Sequence, residues 1–315
     1  MKNRTKKILI YRHCSLGDFI LALPAIKMIK DKNPDSQIFL AGQKINDIGY
    51  IKANLIPLKI KIVDRYIFFD YNFLSILRFL KVVRKNKFDK IYYLNKIISN
   101  KRLVRDFLIF TLLGIKKKIG FDQIKYNYKK FNETYYLCKR VNKNIKKTDI
   151  SLKGFIQKKN NNKKKYITIS MGGRNFKKVW NIKYWMKVIK AITNYYPYLM
   201  IKIVGSINEV ASADKIVKIN RSKIINTCGK TNINALFNVI GNSQYHISHD
   251  DGTMHVASCF QKHGVAIFGK LSEKGRFYPS NYNQKIYFPK NSVNDTKPNN
   301  VTKFILKDLK KNIIN

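Results

Sequence analysis

The residues best suited to chemistry fall in Gln244-Tyr245-His246-Ile247-Ser248-His249-Asp250-Asp251-Gly252-Thr253-Met254-His255-Val256-Ala257-Ser258. An apolar run ending near Ile247 reads as a buried strand, the small polar residues as a tight loop, and Met254 onward as a helix. That layout aims backbone N–H groups and the positive end of a helix dipole at an anion. The plainer reading is a strand-to-helix turn capped by an aspartate. The next run, 264–269, reads as the following strand of a parallel sheet. The loop then lies at the carboxyl end of the sheet, where α/β folds bind nucleotides.

Three further positions carry candidate chemistry. Asp18 follows Gly17 at the carboxyl end of the first strand, where a carboxylate can take a proton from a sugar hydroxyl or cap a helix. Lys178 lies in the loop from Gly172-Gly173 to Trp180, placed either to rest on a phosphate or to stand solvated. Glu209, after the Gly205 turn, can accept from ribose hydroxyls or act as a first-turn helix acid. Trp180, Tyr184 and Trp185 read as core. The histidines around the glycine loop lack metal-ligand spacing with cysteine or carboxylate, so no metal is expected. GxSxG, GxxxxGK[ST] and HExxH are absent, which removes serine-hydrolase, P-loop and zincin readings.

The elements that must hold these residues alternate strand and helix. Residues 7–11 read as a first strand, 15–18 as its loop, and the helix after them buries Ile20, Leu21, Leu23, Ile26 and Ile29, with Pro24 near its first turn. Strands follow at 37–41, 66–69 and 89–94, helices at 73–87 and 102–113, and a short strand after 116–120. Residues 121–150 carry no clear pattern. The 73–87 helix mixes apolar residues with Arg78, Lys81, Arg84 and Lys85. The reading favoured is a core face with solvated lysines opposite, and the alternative is an interfacial surface. Residues 157–165 hold no apolar side chain and read as a linker. A second strand-first half runs from 166, with strands at 166–170, 199–204 and 223–226 and helices at 182–195, 209–219 and 233–240. A last helix is expected at 301–309. This describes an α/β chain of two Rossmann-like domains, 1–156 and 166–315, with parallel sheets facing across a cleft. The last helix is allowed to pack back on the N-terminal domain.

The 315 residues hold 63 Lys and Arg against 18 Asp and Glu, a formal charge of +45. So basic a surface favours phosphorylated substrates, anionic membrane or nucleic acid, although lysine spread over the whole chain accounts for much of the count. No helix-turn-helix, zinc or RNP signature supports specific nucleic-acid binding. Cys14, Cys138, Cys228 and Cys259 form no CxxC pair and fit a reducing compartment. The basic start is cut short by Arg12 and His13, and no window approaches a membrane span, so a cytoplasmic chain is expected, peripheral at the inner membrane.

Taken in order, several pieces resemble the family 9 glycosyltransferases, which add ADP-heptose to the lipopolysaccharide inner core. They are Ile8-Leu9-Ile10-Tyr11-Arg12 with Ser15-Leu16-Gly17-Asp18 and Leu23-Pro24-Ala25; Lys87-Phe88-Asp89-Lys90-Ile91; Lys118-Ile119-Gly120-Phe121; Lys178-Val179-Trp180; Gly205 with Glu209; and 248–257 with Phe268-Gly269. The resemblance implies a GT-B fold and an inverting, metal-independent transfer from a nucleotide-diphosphate sugar, ADP-heptose, which is substrate rather than cofactor. It implies Asp18 as general base, Lys178 on the donor phosphates and Glu209 on the ribose. Gly172 and the loop Asp250, Asp251, Gly252, Thr253, Met254 and His255 fall to the donor, and Arg12, Ser15 and Gly17 to the acceptor. That acceptor would be a phosphorylated, lipid-linked glycan at an anionic membrane surface, with 78–87 and 102–105 as candidate contacts. One departure stands out: the family usually reads Asp-Thr-Gly where this chain reads Asp250-Asp251-Gly252. A second carboxylate facing a diphosphate weakens binding unless it turns away or is paired. The alternatives are therefore a homologue with weakened catalysis or a transferase with another donor.

Overall fold

The computed structural model describes residues 4–13, 15–43, 51–97, 99–122, 125–158, 165–173, 179–269, 273–280, 283–289 and 296–313. These residues form two α/β units, each around one all-parallel sheet.

The first unit comprises β1 (Lys7–Tyr11), α1 (Leu16–Asp31), β2 (Gln37–Gln43), β3 (Arg65–Phe69), α2 (Phe73–Asn86), β4 (Lys90–Tyr93), α3 (Asn100–Leu112), β5 (Lys117–Ile119) and α4 (Glu133–Val141). Its strands lie in the order β3-β2-β1-β4-β5, all parallel. The order reverses between β1 and β4, which opens a crevice at their carboxyl ends. On one sheet face Leu9, Phe39 and Ile91 pack with Phe79 and Val83 of α2 and Leu103 and Phe110 of α3. On the other, α1 packs against α4.

The second unit comprises β6 (Tyr166–Ser170), α5 (Ile182–Tyr195), β7 (Met200–Val204), α6 (Val210–Val217), β8 (Ile224–Asn226), α7 (Ile233–Asn242), β9 (Tyr245–His249), α8 (Gly252–Cys259), β10 (His263–Ile267), β11 (Gln284–Tyr287) and α9 (Pro298–Ile313). Its strand order is β11-β10-β9-β6-β7-β8, again all parallel, with the reversal between β6 and β9. Both strands at that reversal are buried along their whole length, so they read as continuous runs rather than alternating ones. Trp180 and Trp185 lie in the core of this unit, as their sequence context indicates.

Several details differ from the sequence reading. Ser15 caps α1, so Gly17 and Asp18 stand in its first turn rather than in a loop, and Pro24 falls inside the helix. The segment 121–150 contains α4, and β11 adds an edge strand past residue 269. Val301, Ile305 and Leu309 of α9 join the core of the second unit. The division falls after Ser151, and residues 56–59 belong to the second unit. There Gln157 N–H donates to Pro57 O at 2.8 Å and Lys59 N–H to Phe155 O at 2.9 Å. Most of 157–165, from 159 to 164, lies outside the described residues.

Candidate active site

The first cluster stands where the strand order of the first sheet reverses. Arg12 leaves β1 with its side chain only 1% exposed. Its Nη1 donates to Leu94 O just beyond β4 at 3.0 Å and to Glu133 Oε1 on α4 at 3.2 Å, and its Nη2 to Asp18 Oδ1 at 3.3 Å. Glu133 is itself buried and accepts from Tyr128 Oη at 3.0 Å. The Ser15 hydroxyl donates to Asp18 Oδ2 at 2.5 Å while its oxygen caps the Asp18 N–H. His13 N–H donates to Asn95 Oδ1 at 2.8 Å, tying the ends of β1 and β4 together.

Asp18 is thereby held through both oxygens, yet its side chain is 27% exposed. Each carboxylate oxygen has a second lone pair to offer a hydroxyl proton. Arg12 and Ser15 were expected to meet an acceptor. The buried guanidinium and the engaged hydroxyl instead position Asp18, because an arginine in this crevice needs acceptors on every side.

The second cluster stands at the reversal between β6 and β9. Asp251, in extended backbone at φ −139° and ψ 178°, caps α8. Its Oδ1 accepts from Thr253 N–H at 2.8 Å, the Thr253 hydroxyl at 2.7 Å and Met254 N–H at 3.1 Å; its Oδ2 accepts from Ser170 Oγ at 2.8 Å. Burial pushes its carboxyl up to about 6, against the pull of these hydrogen bonds. The cap takes up the N–H groups of Thr253 and Met254, leaving that of Gly252 as the first-turn donor not committed to it.

Two histidines of β9 support this turn. Thr253 donates to Asp251 and so accepts from His246 Nε2–H at 3.0 Å, while His246 Nδ1 accepts from Thr168 Oγ1 at 2.9 Å. His249 Nε2 accepts from Trp180 N–H at 3.1 Å, which makes its Nδ1 the donor to Gly172 O at 3.3 Å. One imidazole thus ties Gly172 to Trp180. Burial drives His246 down to about 3 and His249 to about 4, so both are neutral. Lys178 itself lies outside the described residues.

Glu209 fills the space beside two bare glycines. A Cβ on Gly172 would come within 2.5 Å of Glu209 Cδ, and one on Gly205 within 3.0 Å of its Oε2. Ser206 donates to Glu209 Oε2 from its N–H at 2.7 Å and its hydroxyl at 2.6 Å. Among the described residues Oε1 receives no donor and points toward Gly172.

Three of the residues expected at the donor are engaged within the second unit. Met254 is fully buried in an apolar cluster with Ala266 and Phe268, and its N–H belongs to the cap. His255 is 4% exposed, turned into the fold. The Thr253 hydroxyl serves Asp251 and is not presented to a phosphate. Asp250, Asp251 and Gly252 remain partly exposed in the loop. Glu133, Ser170 and Ser206 were not foreseen. Only the buried strand with histidines at 246 and 249 gave a hint of polar support behind the loop.

The profile of glycosyltransferase family 9 (heptosyltransferase) matches residues 129–303, more than half of the chain. The chain belongs to this family. Lipooligosaccharide heptosyltransferase 2 of Campylobacter jejuni subsp. jejuni serotype O:2 is 25% identical over 273 residues, covering 84% of this chain and 81% of that protein. The structure of a family 9 glycosyltransferase from Veillonella parvula superposes with a TM-score of 0.75 at 14% identity, covering 100% of this chain and 99% of that one. Escherichia coli heptosyltransferase WaaC with ADP gives 0.69 at 15% identity, covering 96% and 99%. At these identities the structural likeness is one of fold, and it agrees with the GT-B build of two parallel-sheet domains. As a family 9 member the chain is a glycosyltransferase of heptosyltransferase type.

Proposed function

We propose that this glycosyltransferase moves a heptose from an ADP-linked donor to a hydroxyl of a lipid-linked lipopolysaccharide-type core, with inversion and without a metal. Asp18 takes the acceptor proton as that oxygen attacks the anomeric carbon from the face opposite the diphosphate. The bond to the diphosphate breaks and its electron pair leaves with ADP. Lys178, the Gly252 N–H and the α8 dipole meet the charge that develops there. Glu209 Oε1 is the group offered to the ribose. The acceptor lies at the cytoplasmic membrane surface, which makes the enzyme peripheral; among the described residues no helix is long and apolar enough to cross a membrane.

The observation that carries this reading is Asp18, fixed by Arg12 and Ser15 at the crevice of the first sheet and still partly exposed. The structures of Escherichia coli heptosyltransferase WaaC with ADP and with ADP-2-deoxy-2-fluoro heptose support the choice of donor. The alternative of weakened catalysis rested on Asp251 facing a diphosphate. Its Oδ1 is taken by the cap and its Oδ2 by the Ser170 hydroxyl, which supports a structural role for Asp251 and favours the active reading. Calorimetry with ADP, UDP, GDP and CDP is the test. Tight binding of ADP alone is expected; preference for another diphosphate would replace the donor, and silence to all four would remove the reading.

A further inference from the structure

The favoured sequence reading gave the apolar residues of 73–87 to the core, and the structure corrects it. On α2 only Phe79 and Val83 are buried. Phe73, Leu74, Leu77 and Val82 are exposed, Phe73 at 74%. α3, on the same sheet face, exposes Val104, Phe107, Leu108 and Leu112, the last at 84%. With Tyr71, two residues before α2, these are nine of the fifteen exposed large hydrophobic side chains among the described residues, eight of them on two helices. The first turn of α3 is tied to the entry of α2 by Arg102 Nη2 donating to Tyr71 Oη at 3.2 Å.

The charges among these side chains have one sign. α2 has no acidic residue and exposes Arg78, Lys81, Arg84 and Lys85. α3 exposes Lys101 and Arg105, and its single acid, Asp106, is buried, accepting from Tyr93 Oη at 2.9 Å and from Arg105 Nη2 at 2.6 Å. Lys116 and Lys117 follow its end. Large apolar groups flanked by cations, with no exposed carboxylate among them, match the boundary between acyl chains and anionic headgroups. Exposed apolar area of this extent is unusual for a surface that faces only water.

We infer that α2 and α3 together form a docking face for an anionic lipid bilayer. The inference deepens the lipid-linked acceptor proposed above by assigning the surface that meets the membrane. Long cationic side chains reach the phosphates while Phe73, Leu74, Leu77, Leu108 and Leu112 enter the interface. The apolar component distinguishes this face from the general basic charge of the chain, which attracts polyanions but inserts nothing.

Flotation with phosphatidylcholine vesicles, with and without phosphatidylglycerol, tests the inference on the full chain. The variants are Leu74→Ser with Leu77→Ser, and Leu108→Ser with Leu112→Ser, all at exposed positions that cost the fold little. The native chain is expected to bind vesicles containing phosphatidylglycerol, and each pair to weaken that binding by about tenfold or more. Heparin binding and turnover of a water-soluble, delipidated acceptor should stay unchanged. Equal vesicle binding by native and variant chains would overturn the inference in favour of nonspecific charge. A native dimer that the same substitutions convert to monomer would assign the face to a second copy instead. Calorimetry with ADP reads the donor separately, so failure of the enzyme reading and failure of the docking face are told apart.

Discussion

Asp251 and Thr253 are joined through one carboxylate oxygen: Asp251 Oδ1 accepts both the Thr253 N–H at 2.8 Å and its hydroxyl at 2.7 Å. The residue that departs from the family pattern is therefore a helix cap, and its removal should be felt first in stability. Asp251→Ala is expected to cost about 1–2 kcal/mol in urea unfolding. Asp251→Thr, which restores a cap of the other chemistry, should cost less. An Asp251→Ala chain as stable as the native one would show that the cap is not formed.

Asp18→Asn keeps the shape of the first cluster and removes the base. Turnover should fall by about 10²–10⁴-fold. ADP affinity, measured by calorimetry, should remain within about twofold because Asp18 is assigned to the acceptor alone. Retention of turnover would move the base to another residue.

Glu133→Ala removes one of the two carboxylates that meet the buried Arg12 guanidinium among the described residues, the other being Asp18. The expected loss is about 3–5 kcal/mol, the scale for removing one partner of a buried ion pair. Glu133→Gln, which retains an acceptor, should recover part of it. Urea midpoints for the two variants decide the matter.

Acid should destabilise the second unit through its histidines. His246 and His249 stay neutral when folded, down to about 3 and 4, whereas in the unfolded chain they take up protons near 6.5. The stability they contribute is present above 6.5 and lost as pH falls toward their folded values. Asp251 works the other way, since its folded value of about 6 lies above the ordinary 3.8. Its share is present below 3.8 and lost as pH rises through 6. The decline should therefore be steepest between about pH 6 and 5, where two protonated histidines of the unfolded chain outweigh the one proton on folded Asp251, with a net loss on the order of 4 kcal/mol by pH 4. Denaturation curves across this range, for native and His249→Asn chains, measure the slope.

Gly172→Ala drives a Cβ to 2.5 Å from Glu209 Cδ, whereas among the described residues a Cβ on Gly173 meets Val179 Cγ2 alone, at 3.3 Å. Gly172→Ala should destabilise by about 1–3 kcal/mol and weaken ADP binding, since Glu209 must swing aside. Gly173→Ala is the matched control and should bind ADP nearly as the native chain does. Equal affinities in calorimetry would separate Glu209 from the donor.

The alternation of strand and helix was legible because parallel strands buried on both faces appear as near-continuous apolar runs, as in Ile8-Leu9-Ile10 and, broken by Thr168 alone, Tyr166-Ile167-Thr168-Ile169. α4 was not, because Glu133-Thr134-Tyr135-Tyr136-Leu137-Cys138-Lys139-Arg140 buries polar groups that find partners elsewhere in the unit. Glu133 meets Arg12, and Arg140 donates to Gly120 O and to Tyr93 O. Such pairing leaves no periodic signal. On α2 the difficulty is the reverse: apolar residues occupy several sides, and spacing alone does not say that Phe79 and Val83, rather than Leu74 and Leu77, meet the sheet. The orientation of Asp251 depends on its extended backbone, which a run of Asp-Asp-Gly does not dictate.

Residues 56–59 carry a consequence for splitting this enzyme into pieces. The chain passes between its units three times, after Leu55, after Lys59 and after Ser151. A gene cut after Ser151 would leave Pro57 and Lys59 on one product and their hydrogen-bond partners Gln157 and Phe155 on the other. Neither product is a self-contained domain: one carries an orphan segment and the other lacks it. The same four residues offer two separately made halves a point of mutual recognition, the arrangement that fragment complementation requires.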